Sequence, residues 1–272
     1  MANIRRVAAL GGAGRVTRLI TTGQAPFIVT REYVGVIGII AGITHVWPTT
    51  PAVILGCALV AGFVPRVVGT LAFVLLMIDT VRLHFLVLGP VPTAVFGFLA
   101  LTVALTSTGR IWDWDVKATT PLWTVVPLRV YFGCAFWRAA INKIGPKWAA
   151  WPDALQWFGN QNLPHEASWY KAFMTAVVFP HVTLFAGLVA AGEVAVGTCL
   201  ILGLATRFAA VIGAFLTVNY FLLKGDALWS VSNDLAFVFG LTVVTITNAG
   251  RVFGLDALIA PRHPVEQPAQ GD

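Results

Sequence analysis

The sequence predicts an all-α integral membrane protein with about eight transmembrane helices in two tandem, parallel four-helix bundles. Three observations carry that expectation. The 272-residue chain is 57% apolar and 11% charged, with a mean hydropathy of +0.80, whereas a soluble domain carries about 25% charge. Its apolar runs recur along the whole length, punctuated by short basic turns. And the chain repeats itself. Gly56, Leu59, Gly62, Arg66, Val103, Thr106, Gly109, Arg110 and Asp115 reappear 141 residues later as Gly197, Leu200, Gly203, Arg207, Val244, Thr247, Gly250, Arg251 and Asp256. Arg31, Tyr33, Gly35, Ala41, Ile43 and Pro48 reappear 98 residues later as Arg129, Tyr131, Gly133, Ala139, Ile141 and Pro146. The two separations differ by 43 residues, which places an insertion after Pro146 in the second copy.

Residues 1–30 hold Arg5, Arg6, Arg15 and Arg18 among glycines. They lack the apolar core and cleavage site of a signal peptide and read as a cytoplasmic tail. The first bundle is expected over 31–121, with helices at 31–47, 51–65, 67–88 and 92–108. The second is expected over 122–260, with helices at 123–144, 181–204, 208–225 and 233–249, and 261–272 reads as a second tail. Arg66, Arg110, Lys117, Arg129, Arg207, Arg251 and Arg262 then lie on the same side as the N-terminus, and only Lys143, Lys147, Lys171 and Lys224 lie opposite. That bias puts both termini in the cytoplasm of a bacterial or archaeal cytoplasmic membrane. It accounts for the net charge of +6 without a nucleic-acid partner. Four spans per copy make the repeat parallel.

The insertion, about 147–180, faces outward and holds Trp148, Trp151, Trp157, Phe158, Trp169, Tyr170 and Phe173. Rings at this density fit either an interfacial anchor or a lid over a site in the second bundle. Glu193 lies eleven residues into its helix, near the bilayer centre, where a carboxylate must be paired, protonated or functional. Arg138 is at similar depth and is an expected partner for it. Lys143 and Asn142 close helix 123–144, Asn219 and Tyr220 are mid-membrane, and Ser232, Asn233 and Asp234 open the last helix, where they fit a cap. Asp79 and Arg82, three apart, read as a local pair. Glu193, Arg138 and Asn233 align with Ala52, Ile40 and Pro92 of the first copy, so polar chemistry concentrates in the second. Cys57, Cys134 and Cys199 read as small buried hydrophobes. His45, His84, His165 and His181 map to the outer side, and no spacing among them supports a metal or haem site.

Residues 125–260 resemble the DoxX-like membrane family, which includes the DoxD subunit of thiosulfate:quinone oxidoreductase. The resemblance rests on LRVYFGCAFWRAAINKIGP, SWYKAFMTAVVFPH, GEVAVGTCLILGLATRFAAVIGAFLTVNY and NAGRVFGLD, in that order. It implies four-helix membrane bundles beside electron-transfer chemistry, membrane lipid around them and partner subunits, among them a DoxA-like one, since no soluble domain is fused here. Lys143, Glu193, Arg207 and Asn219 match the family's positions. On this reading the chain is a thiosulfate dehydrogenase (quinone) subunit. Quinone is its substrate; Glu193, Lys143 and Arg138 carry catalysis, and Asn219, Tyr220, His181 and Trp169 form the binding surface. The alternative is a non-catalytic accessory subunit of a larger membrane electron-transfer complex, with the same polar groups holding helices together. A transporter is disfavoured, because no pair of broken helices meets at the midplane.

Overall fold

The computed structural model describes residues 25–43, 49–82, 91–107, 110–111, 122–141, 143–144, 151–162, 167–224 and 228–259. The N-terminal arginines, Asn142, His45, His84, His165, Lys117, Lys147, Trp148 and the tail 261–272 lie outside them. The described residues are helical with no extended strand. In chain order the helices are α1 (Ala25–Ile43), α2 (Thr49–Val60), α3 (Pro65–Arg82), α4 (Pro92–Thr106), α5 (Val126–Ile141), α6 (Trp151–Asn162), α7 (Ser168–Phe173), α8 (Val182–Leu202), α9 (Thr206–Lys224), α10 (Leu228–Thr247) and α11 (Asp256–Ile259).

Several boundaries depart from the sequence expectation, among them the start of α10 at Leu228, which puts Asn233 and Asp234 in its second turn rather than at its cap. Helix α1 starts at Ala25, so residues 25–30 are not tail. The second half of the insertion is not a loop: α7 runs through a π turn at Met174–Val178 and a 3-10 turn at Phe179–His181 into α8. Ser168–Leu202 is thus one 35-residue rod. Pro180 supplies no backbone N–H and marks where the hydrogen-bond register changes. That rod and Thr206–Lys224 are long and apolar enough to cross a membrane.

The repeat is built into the packing. Within the first half α1 packs on α2, α3 on α4 and α1 on α4; within the second, α5 packs on α8, α9 on α10 and α5 on α10. Glycines set the closest crossings. A Cβ on Gly197 would come within 2.7 Å of the Trp137 ring and 3.0 Å of the Gly133 carbonyl oxygen. At the matching crossing a Cβ on Gly56 would meet the Gly35 oxygen and Ile39. Membrane helices approach this closely where small residues face each other. The turns match as well: Gly62 (φ 68°) and Val64 (φ 41°) recur as Gly203 (φ 65°) and Ala205 (φ 45°). Left-handed backbone costs a residue with a Cβ. At Val64 the N–H donates to Ile111 O at 2.7 Å, and at Ala205 it donates to Asp256 Oδ1 at 2.7 Å.

The seam between the halves is two-fold. Helix α4 packs on α10, α1 on α10 and α4 on α5. Since α1 corresponds to α5 and α4 to α10, each contact is its own or another's counterpart under exchange of the halves, as in an isologous interface. The side chains repeat it: Tyr33 stacks on Phe239 at 4.3 Å and 15°, and its counterpart Tyr131 stacks on Phe98, the counterpart of Phe239, at 4.4 Å and 15°.

At the end of the molecule bearing Arg66, Arg129, Arg207 and Arg251, the turns are tied by side chains. Arg129, 1% exposed, donates from Nη1 to Ala249 O and Val252 O and from Nη2 to Phe253 O. Asp256 accepts from the N–H groups of Ala205 (2.7 Å) and Thr206 (2.9 Å), a carboxylate at the N-terminus of α9. Asp256→Ala is expected to destabilise the protein by about 1–2 kcal/mol, read as a lower thermal midpoint in detergent, with no change in ligand binding at the opposite end.

Candidate functional site

A cavity of about 450 Å³ opens at the end opposite the arginines, walled by α5, α6, α8, α9 and α10. The volume is that of a small-molecule site. Glu193 stands at its floor, fully buried. Lys143, just past the end of α5, reaches both carboxylate oxygens at 2.8 Å and also donates to Ala139 O at 3.1 Å. Tyr220 of α9 donates its hydroxyl to Glu193 Oε1 at 2.5 Å. Four residues beyond Tyr220, Lys224 at the end of α9 bridges Asp234 in the second turn of α10 at 2.9 Å. Asn233 Nδ2 donates to the same Asp234 at 3.0 Å. The Tyr220 ring links the two pairs: Lys143 Nζ is 6.0 Å and Lys224 Nζ 5.9 Å from its centroid, at the outer limit for attraction between a cation and a ring face.

The remaining wall is apolar and aromatic. Phe136 of α5 and Phe237 of α10 meet edge to face at 6.1 Å. Helix α6 covers the mouth with Trp151, Leu155, Trp157 and Phe158. It is amphipathic, burying Pro152, Leu155 and Gly159 on one face, and it packs on α8 and α9. Trp151 fixes its start twice. The indole N–H donates to Ala186 O at 3.1 Å, and the ring lies 4.9 Å from Lys143 Nζ. Helix α6 thus walls the cavity, while Trp157, Trp169 and Phe173 of the insertion keep exposed rings.

The structure therefore brings together Glu193, Lys143 and Tyr220 and leaves four other candidates aside. Glu193 takes its ion pair from Lys143 rather than Arg138; Arg138 is half-buried on α5 and does not line the cavity. Five residues on and past the end of α5, Lys143 lines the cavity and reaches Glu193, so depth alone misled. Asn219 points back along its own helix, donating to Phe215 O at 2.8 Å. Trp169 and His181 are exposed on the outer surface away from the cavity. The Lys224–Asp234 pair was missed. Its signal was present: opposite charges at the facing ends of two helices joined by a short turn, ten residues apart. Asp234 is 2% exposed, so it is no surface cap.

The first half has a smaller cavity, about 160 Å³, at corresponding positions. Ala52, Leu76, Asp79 and Phe96 line it where Glu193, Thr217, Tyr220 and Phe237 line the larger one. The repeat kept the space and placed the linked ionisable network in the second copy.

Chemically the larger cavity holds two basic and two acidic side chains, each basic one paired to an acidic one. It offers no uncompensated cation to an anion. It offers exchangeable protons on buried groups beside flat aromatic walls. Residues 123–269, just over half of the chain, match the family model described as TQO small subunit DoxD. Comparison with curated proteins and with solved structures gave no match.

Proposed function

Since the chain belongs to the DoxD family, a membrane-integral family that forms one subunit of a multi-subunit quinone oxidoreductase, we propose that it serves thiosulfate:quinone oxidoreductase and that the cavity under α6 receives the quinone headgroup. The carrying observation is the cavity's composition: charge-balanced, aromatic-walled and lined by buried proton-bearing groups. A neutral ring fits such a space. A dianion does not, because both lysines are already committed to carboxylates. Two-electron reduction of a quinone takes up two protons. Glu193 and Tyr220 are placed to pass them, while Lys143 and Lys224 stay paired with Glu193 and Asp234 and keep those carboxylates in position.

Thiosulfate on this reading is handled outside the cavity, at the surface that carries Lys171, His181 and Trp169, where a DoxA-like subunit would dock. On the same proposal α1–α5 and α8–α10 are the eight membrane helices of two parallel bundles, with the arginine-bearing end and both termini in the cytoplasm. Outward apolar stripes support this: Val67, Leu71, Val74, Ile78 and Val81 on α3, and Phe208, Val211, Phe215 and Val218 on α9. Stripes of that extent are ordinary against lipid and aggregation-prone in water.

One observation favours the accessory-subunit reading: both ion pairs are complete within the chain. Under it, loss of Glu193 or Lys143 lowers the yield of assembled complex and leaves turnover per complex intact. A direct test uses Trp151 and Trp157, which line the cavity. A short-tailed benzoquinone is expected to quench tryptophan fluorescence of the detergent-solubilised protein saturably. Changing both tryptophans to phenylalanine should remove most of the saturable part. Quenching that rises linearly in both proteins would place the quinone in the micelle, against the proposal.

A further inference from the structure

Asn233 is 5% exposed and lines the cavity. Its Nδ2 donates to Asp234 Oδ1 at 3.0 Å, and Asp234 in turn is bridged by Lys224. That chain fixes the amide's orientation, because the flipped rotamer would set its carbonyl oxygen against a carboxylate oxygen, acceptor against acceptor. Asn233 Oδ1 is thereby left buried with no partner among the described residues. Buried acceptors are rarely left unmade. The cavity's carboxylate acceptors are engaged: Glu193 by Lys143 and Tyr220, Asp234 by Lys224 and Asn233. In the first copy the matching residue is Pro92, with no side-chain acceptor.

We propose that Asn233 Oδ1 accepts a hydrogen bond from a hydroxyl of the bound ring, so that the site distinguishes redox states and holds the quinol more tightly than the quinone. A quinol presents an O–H to this acceptor. A quinone presents only carbonyl lone pairs, which repel it and leave it unsatisfied. Asn233 is a specificity-determining residue here, and the inference rests on the cavity being the quinone site.

The test is the ratio of two dissociation constants, for decylubiquinone and decylubiquinol, measured anaerobically by calorimetry on the full chain in detergent. The wild type is expected to bind the quinol about tenfold more tightly, the worth of one hydrogen bond. Asn233→Leu should bring the two affinities within about twofold of each other, a change that a structural role alone would not produce. A second probe needs no variant: the dimethyl ether of the quinol cannot donate and is expected to bind wild type no better than the quinone. Equal wild-type affinities for the two redox forms, an ether that binds as the quinol does, or a preference that survives in Asn233→Leu would each overturn the inference and leave the quinone site standing. Absence of saturable binding of either form to wild type would remove the quinone site, and this inference with it.

Discussion

Glu193→Gln is expected to lower quinone-dependent turnover by about 100-fold or more, the range in which a positioned proton-transfer group acts. The amide keeps the volume and can still accept from Lys143 and Tyr220, but it cannot take up and release a proton. It also leaves the Lys143 ammonium without a counter-charge. Breaking a buried pair from one side costs about 3–5 kcal/mol. The Lys143 side chain is 13% exposed and sits over Trp151, so the cost here falls toward the lower end. The double variant Glu193→Gln/Lys143→Met removes the stranded charge. It should recover the stability lost in the single variant without recovering turnover, a separation that a purely structural ion pair would not show. The readouts are thermal midpoint in detergent and turnover per assembled complex. Turnover that returned with stability in the double variant would take the proton role away from Glu193.

Gly197→Val is expected to abolish accumulation of folded protein. The new Cβ would have to occupy space within 3.0 Å of the Gly133 oxygen and the Trp137 backbone nitrogen. Backbone on a neighbouring helix cannot swing aside as a side chain can. Helices α5 and α8 would be forced apart, and with them Lys143 and Glu193. Overpacking a tight core costs about 1–3 kcal/mol or more. The displacement of two full helices puts this case at the upper end. Ala191→Val, on an exposed face of the same helix, is the control and should be tolerated. Size-exclusion profiles of the two proteins decide it: a monodisperse Gly197→Val peak at wild-type yield would mean that the crossing is looser than described.

Much of the architecture was legible because the repeat is a constraint that single helices do not provide. Gly56 and Gly197 are unremarkable alone. Held at one separation along with Gly62/Gly203 and Leu59/Leu200, they mark the repeat, and the structure places them at matching crossings and matching left-handed turns. The paired stacks of Tyr33 on Phe239 and Tyr131 on Phe98 follow from the same register. The insertion was read only by composition. Its rings say nothing of a π turn, nor that Trp151 and Trp157 border the cavity while Trp169 does not.

The site was half legible for a related reason. Depth along a helix singled out Glu193, and depth also nominated Arg138 and Asn219. Which face a residue presents depends on the crossing angles of α5, α8 and α9, which one sequence does not print. Lys143 was recognised at the outer end of its helix, yet its long side chain reaches inward to Glu193. Lys224 and Asp234 were separated in the reading because Asp234 was taken as a helix cap and Lys224 only as one of the lysines opposite the arginines. Here the ends of α5 and α9 and the first turns of α10 close over a cavity instead.

The central claim is that the quinone headgroup sits beneath α6 among Glu193, Tyr220 and Asn233. Photolabelling places it most directly. An azido-quinone is irradiated with the purified protein, with and without excess unlabelled quinone, and the labelled peptides are mapped by mass spectrometry. The account predicts competable label on Trp151–Asn162 and on the stretches of α8 and α10 that carry Glu193 and Asn233. Label confined to the exposed apolar stripes of α3 and α9, or label that excess quinone does not displace, would contradict it.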